Sequence, residues 1–396
     1  MNTPNANICR HGIWHLAVLC AVQLLLTGVG GAQTTTWNNP GTGSWFIPGN
    51  WSNGVPTFNT DFLIRNGGTA QVLGGGFANS SSPYLGISAG ESGNLVVSDS
   101  GSTWNYAYSF FVGEAGTGKL SIQGGGVVSG NPGYNAFIGG VPGNGTGNGT
   151  VLVDGIGSTW THHGLIYVGA DGTGELTIQN GGVVSESDPF TNTYIGYAAS
   201  SRGTALVSGA GSIWNNSGGL VVGYQGTGLL TIRDGATVSS AGATIGFDGG
   251  SLGTVLVEGN GSTWNCAHQL SIASYGTGRL TIQDGGTVNV NGGTGTVELT
   301  TIPPGTGTLD IGAFGGGTRA GTLHAAIVNG GLGTAVVNFN QTDTITFAPR
   351  ITGSTSVNQL GSGATILSGT HTYTGATTAT SPTSTSTPRT PISHFP

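Results

Sequence analysis

The residues able to do acid–base or metal chemistry are few and scattered. Of eight histidines, those that could do chemistry by spacing are the pair His162 and His163 and, with Cys266 two positions before it, His268. A Cys-x-His pair offers a thiolate and an imidazole, but zinc holds its donors at about 2 Å and a structural site needs four of them. Cys266 and His162 each stand two residues after a tryptophan, so on a periodic chain they fill equivalent places far apart. The acids Asp154, Asp171 and Glu175 lie close in sequence, and carboxylate pairs cleave glycosides when about 5 to 9.5 Å apart. Polysaccharide lyases also need a cation to stabilise developing negative charge, and Lys119 is the single lysine. The glycine-rich phrases precede strand patterns, whereas a G-x-G-x-x-G phosphate loop opens a helix. They also lack the fixed aspartates of the nine-residue calcium repeat. We therefore expect no catalytic residue, no cofactor and no metal.

Composition narrows the class of protein. Glycine is 78 of 396 residues, far above the usual level of about 7%, yet no strict three-residue period runs through it, which excludes collagen. Charged residues are 6% and the net charge is −7. A chain so poor in cations has no electrostatic handle for nucleic acid or an anionic membrane. Residues 1–32 read as a signal peptide: Arg10, His11 and His15 precede or flank the apolar run LAVLCAVQLLL, and small Gly30 and Ala32 follow. Cleavage is expected after Ala32. The run is too short to cross a hydrocarbon core of about 30 Å, so no transmembrane helix is expected. Cys9 and Cys20 would leave with the signal, and Cys266 alone cannot form an intramolecular disulfide.

The elements that must position everything else are written as a repeat. GTGELTIQNGGVV at 172–184 recurs, with changes, at 116–128, 226–238 and 276–288. Trp104, Trp160, Trp214 and Trp264 share the phrase G-S-[TI]-W and are separated by 56, 54 and 50 residues. Ile138-Gly139, Val168-Gly169, Ile195-Gly196, Val222-Gly223 and Ile245-Gly246 mark half-units of 30, 27, 27 and 23 residues. Fixed periods in this range signal stacked coils. Within the phrase, Leu120 and Ile122, Leu176 and Ile178, Leu230 and Ile232, and Leu280 and Ile282 flank a Ser or Thr, the two-residue alternation of a strand with one buried face. N-G-G, D-G-A and D-G-G follow, supplying the positive φ of tight corners. No helical period appears in residues 33–396, and their Gly and β-branched residues would oppose one. The fold class is all-β: a right-handed parallel β-helix, or β-solenoid, with coils of about 23 to 30 residues, the hand following from strand twist and crossover chirality.

Two features of the coils leave alternatives open. Val96, Leu152, Leu206 and Leu256 stand where the partner half-unit has Ser or Thr; they are either covered or singly exposed, or they form a surface-binding stripe. The tryptophans, two coils apart, are too distant to stack on one another and read as interior or corner residues rather than a sugar platform. Residues 33–66 hold Trp37, Trp45 and Trp51 without the repeat, as an N-terminal cap should. Residues 67–378 are the repeat domain, and residues 379–396, rich in Ser, Thr and Pro, read as a disordered tail.

The phrases G-T-V-x-V-x-G-x-G-S-x-W and V-G-x-x-G-T-G-x-L-T-I-x-x-G-G-x-V, over about residues 86–311, resemble the repeat shared by type V secretion passengers, or autotransporters, and PEP-CTERM-sorted bacterial surface proteins. GATILSGTHTYTGATT at 363–378 is similar to the autotransporter-associated β-strand repeat: Tyr373, Gly375 and Thr377 match, and His371 stands where Asn is usual. The resemblance implies a β-helical passenger exported to the cell surface or secreted, adhesin-like, with an extracellular glycan or protein as partner. Nothing after Thr378 offers the alternating strands of a translocator barrel, so the barrel is expected not to be in this chain, and periplasmic retention follows if the passenger is truncated. The alternatives are a carbohydrate-active β-helix enzyme and a non-functional fragment.

Overall fold

The computed structural model describes residues 33–379; the expected signal peptide and nearly all of the tail lie outside them. Two strand positions recur throughout the described coils and a third in most of them, so the strands line up as three parallel faces. The first face runs from Gln33–Thr36 to Thr372–Tyr373 and the second from Thr42–Ser44 to Thr377–Ala379, each with 14 strands. The third face has 10 strands, from Phe77–Ser80 to Thr322–His324. The result is an all-β solenoid of about 13 turns. At about 4.8 Å per coil it is a rod of roughly 60 Å.

The half-unit is one coil. Ile138 pairs with Val168, Val168 with Ile195, Ile195 with Val222, and Val222 with Ile245. The second face carries the longest ladders: Leu120, Val151, Leu176, Ala205, Leu230, Val255 and Leu280 fall in one buried column, and Ile122, Val153, Ile178, Val207, Ile232, Val257 and Ile282 in the next. A slip of one residue would turn these side chains into solvent, so the alternation fixes the register.

The corners take the expected backbone. Asn180, Asp234 and Asp284 have φ of 53°, 56° and 49°, each followed by a glycine with φ of 84° to 90°. The serine of G-S-x-W joins one corner to the next: Ser158 accepts a bond from the Gly125 N–H at 3.1 Å and donates to the Asp154 carbonyl at 2.6 Å. A second glycine column closes the first face. At Gly139 (φ 76°) an added Cβ would lie 2.0 Å from the Thr173 carbonyl oxygen, so the coils can approach only if this place has no side chain.

The four repeat tryptophans are wholly buried on the third face, each with an aliphatic residue above and below. Val128 pairs with Trp104 and Trp160, Val184 with Trp160 and Trp214, and Val238 with Trp214 and Trp264. Their interior place follows from volume: an indole fills the space over the smaller valine of the neighbouring coil. Residues 33–66 supply the first strands of the two long faces together with an aromatic plug. Trp37, Trp45, Trp51 and Phe62 meet edge to face at 4.8 to 5.7 Å, and Phe62 reaches Trp104 at 5.9 Å, which makes the plug continuous with the core. Among the described residues no helix is long and apolar enough to cross a membrane.

Candidate functional site

Chemistry-bearing side chains gather in two columns, one inside the third face and one outside the first. The inner column lies two residues beyond the Trp/Val column and contains Tyr106, Gly130, His162, Glu186, Asn216, Ser240 and Cys266. Cys266 and His162 do occupy equivalent places, four coils apart. Tyr106 leans over Gly130, where a Cβ would meet its ring at 2.5 Å, and its hydroxyl donates to Nδ1 of His162 at 2.8 Å. The Trp160 indole N–H donates to the Tyr106 oxygen at 3.1 Å, and Nε2–H of His162 donates to the Leu165 carbonyl at 3.3 Å. Burial holds its pKa down to about 4, against the raising effect of the Leu165 and Tyr134 carbonyls, so the imidazole is neutral.

The next rung holds Glu186. Burial pushes its pKa up to about 7, against the lowering effect of hydrogen bonds from Thr193 and Thr191. Burial likewise pushes the Cys266 thiol up to about 12, with Ser240 donating to the sulfur at 3.7 Å. His162, Glu186 and Cys266 are at most 1% exposed, so no substrate reaches them. His163 turns outward and bonds the Ser187 hydroxyl.

The acids singled out from sequence sit at separate places. Asp154 accepts from the Asn180 side chain at 2.7 Å, and Asp171 from the Gly143 N–H at 2.9 Å. Glu175 points outward on the second face between Thr150 and Thr204. Among the described residues, no three His, Cys, Asp or Glu side chains come together as a metal-binding group.

Val96, Leu152, Leu206 and Leu256 face outward from the second face and are half-buried. The coils between them place Ser121, Thr177 and Thr231 in the same column, and Thr281 follows Leu256. The column is thus an alternation of aliphatic and hydroxyl groups, not an unbroken apolar stripe. The alternation gives way to buried Asp310 and then Asn338 and Asn358; Asp310 pairs with Arg279 at 2.7 Å and accepts from Asn338 and Asn340 at 2.9 Å each, and the Arg279 guanidinium lies 4.8 Å from the Phe314 ring.

The outer column of the first face is aromatic, and sequence reasoning missed it. Tyr84, Phe111, Phe137, Tyr167 and Tyr194 stack along the rod with centroids 4.7 to 5.4 Å apart and planes within 14° of parallel. The run then steps sideways into the following turn, where Tyr197, Tyr224 and Phe247 stack at 4.9 and 5.0 Å. Packing buries part of each phenol: the Tyr84 pKa rises to about 12, through burial first and the nearby Asp61 and Glu114 carboxylates second. The missed signal was the residue before each L-G, V-G or I-G phrase, aromatic in five successive coils from Tyr84 to Tyr194.

Where the run steps aside, the sheet column continues with the smaller Val221, Thr244 and Ser271. A shallow groove of about 410 Å³ opens there, walled by Phe247 on one side and by Asn192, His268 and Gln269 among its other residues. It adjoins a second depression that shares His268 and Gln269 and ends at Thr296 and Glu298.

No family model matches the chain. Over 255 residues, 60% of this chain, it is 32% identical to the adhesin BmaC autotransporter of Brucella suis biovar 1 (strain 1330), of which the match spans 7%. Over 154 residues, 38% of this chain, it is 31% identical to the uncharacterized protein YuaQ of Escherichia coli (strain K12), of which the match spans 10%. The chain thus spans a tenth or less of the length of these relatives. A crystal structure of the TibC-catalyzed hyper-glycosylated TibA fragment aligns with 88% of this chain and 94% of its own at 15% identity and a TM-score of 0.26, a likeness too low to bear on this chain. Sequence kinship with an autotransporter adhesin, together with a β-solenoid of stacked repeats, is consistent with an autotransporter passenger, as the repeat phrases imply.

Proposed function

We propose, on the premise that this chain is built as an autotransporter passenger is, that it is a non-catalytic, adhesin-like rod displayed on the cell surface or released from it. The observation that carries the reading is the kinship with an adhesin autotransporter over 60% of the chain. The distribution of side chains supports it. The imidazole of His162, the carboxyl of Glu186 and the thiol of Cys266, the groups best suited to acid–base or nucleophilic chemistry, are sealed inside the coils, while aromatic and hydroxyl ladders run along the outside, as contact with another surface requires. A carbohydrate-active enzyme would need an accessible carboxylate pair at about 5 to 9.5 Å. Asp154 and Asp171 are instead engaged at separate corners.

The test is made in the native host. An antibody to residues 86–311 is followed through periplasm, outer membrane and medium with protease shaving of intact cells, and a deletion strain is scored for attachment and aggregation. Protease-sensitive signal on intact cells, or chain in the medium, with reduced attachment after deletion, is expected. Signal confined to the periplasm and unchanged attachment would overturn the reading.

A further inference from the structure

We propose that the groove beside Phe247 on the first face binds an uncharged oligosaccharide lying along the rod axis. This rests on the adhesin-like reading and names the ligand class and the place. Three observations converge. First, the groove exists because the outer column shrinks from Tyr194 to Val221, Thr244 and Ser271 while the aromatic run moves to the turn. The lining reaches from the strand at Asn192–Ile195 to the one at Thr296–Glu298, five successive strands of the first face and about 20 Å. That is a slot for a linear chain rather than a pit for a small molecule.

Second, the aromatic wall ends in an open ring. Along the first-face stack each inner ring has ring neighbours on both sides, so its faces are used up. Phe247 stacks on Tyr224, but the next residue in its column is Ser274, and Phe247 is 40% exposed. A ring with one free face beside a slot offers an apolar platform to the C–H face of a sugar.

Third, the opposite wall is polar and carries no carboxylate, lysine or arginine. Asn192, His268 and Gln269 are exposed, and Thr244 and Ser271 point into the slot. No Asp, Glu, Lys or Arg lines the main depression; Glu298 in the adjoining one accepts from Asn329 at 2.7 Å. Amides and hydroxyls facing an aromatic ring match a polyhydroxyl ligand, whereas an apolar peptide would leave them unpaired. A chain of net charge −7 with no Lys or Arg in the slot is poorly suited to an anionic glycan.

The purified full chain is titrated calorimetrically with oligomers of β-1,4-glucan, xylan, mannan and chitin, with heparin as the charged control. At least one neutral oligomer binds. Phe247→Ala weakens it by about tenfold or more, Thr244→Tyr, which fills the slot, abolishes it, and Leu206→Ala on the second face leaves it unchanged. Circular dichroism of each variant checks that the coils are intact. Absence of binding by every neutral oligomer, preference for heparin, or binding indifferent to both groove variants in folded protein would overturn the proposal. Beads coated with each protein separate it from the parent reading. If variant beads attach to cells as well as wild type, the groove is not the contact and adhesion stands. If wild-type beads fail to attach although an oligomer binds in the slot, adhesion falls and the groove stands.

Discussion

The inner column of the third face and the outer column of the first face run side by side through the same coils and distribute chemistry in opposite ways. Inside lie an imidazole, a carboxyl and a thiol, each hydrogen-bonded and out of reach of water. Outside lies a run of Tyr and Phe rings, each left partly open to solvent. The difference follows from the solenoid itself. Its interior is narrow and already filled by the Trp/Val column and the aliphatic ladders of the second face, so the remaining inner column takes polar groups only where neighbouring coils can satisfy them. Its exterior is a flat parallel sheet on which rings about 5 Å apart can stack without leaving solvent. In this molecule a buried ionisable group is a structural element, and an exposed ring marks a surface.

The largest expected effect lies inside. Trp214→Ala should lower stability by about 3 to 5 kcal/mol in urea unfolding, because the valines paired with it cannot fill the space. Next come the two titrating rungs, whose pH dependences run in opposite directions. Glu186 has a raised pKa of about 7 against an ordinary 4.5, so its stabilisation is full below about pH 4.5 and is lost as pH rises through 7. His162 has a lowered pKa of about 4 against 6.5, so its contribution is full above pH 6.5 and is lost as pH falls through 4. Each is worth on the order of 3 kcal/mol, and they oppose each other between pH 4.5 and 6.5. Glu186→Gln should therefore expose a protein that weakens steeply below pH 6.5, and His162→Gln one that strengthens as pH falls from 7. Parallel pH profiles for the two variants would sink this assignment.

The outer column should respond more weakly. Tyr167→Ala, in the middle of the stack, is expected to cost about 2 kcal/mol, whereas Thr244→Ala, where the stack has stepped aside, should change stability by less than about 0.5 kcal/mol. Equal losses at both positions would erase the distinction between ladder and groove. The smallest effect is none at all: Cys266, its thiol held near a pKa of 12, should stay unlabelled by a maleimide in native buffer and react only after unfolding.

The coil was legible because its signals are local and redundant. Leu176 and Ile178 flanking Thr177, the Asn180 corner and Trp160 each report the same period, and any one would have set the register of the others. The outer rings were legible in principle but hidden by a shift of column, since Tyr194 precedes its glycine and Tyr197 follows it; only the stack in space shows them to be one run. Glu186 could not be recognised from sequence, because it lies in a coil without the tryptophan and follows V-V-S as an unremarked acid. The bond from Tyr106 to His162 crosses a whole coil over Gly130, and no spacing rule announces a side chain that reaches two rungs. Asp310 meets Asn338 and Asn340 where the repeated phrase has already faded, so sequence offered no frame for that cluster.

The alternation of Trp with Val on the third face also sets the unit in which such a gene can lengthen or shorten. Removal of one coil would bring indole against indole or valine against valine, one pair overfilling the interior and the other leaving it hollow. Removal or duplication of two coils restores the alternation of Trp with Val. Copy-number change in the coding sequence is thus quantised at about 54 residues, the spacing from Trp160 to Trp214, and alleles differing by whole coil pairs are the ones this architecture tolerates.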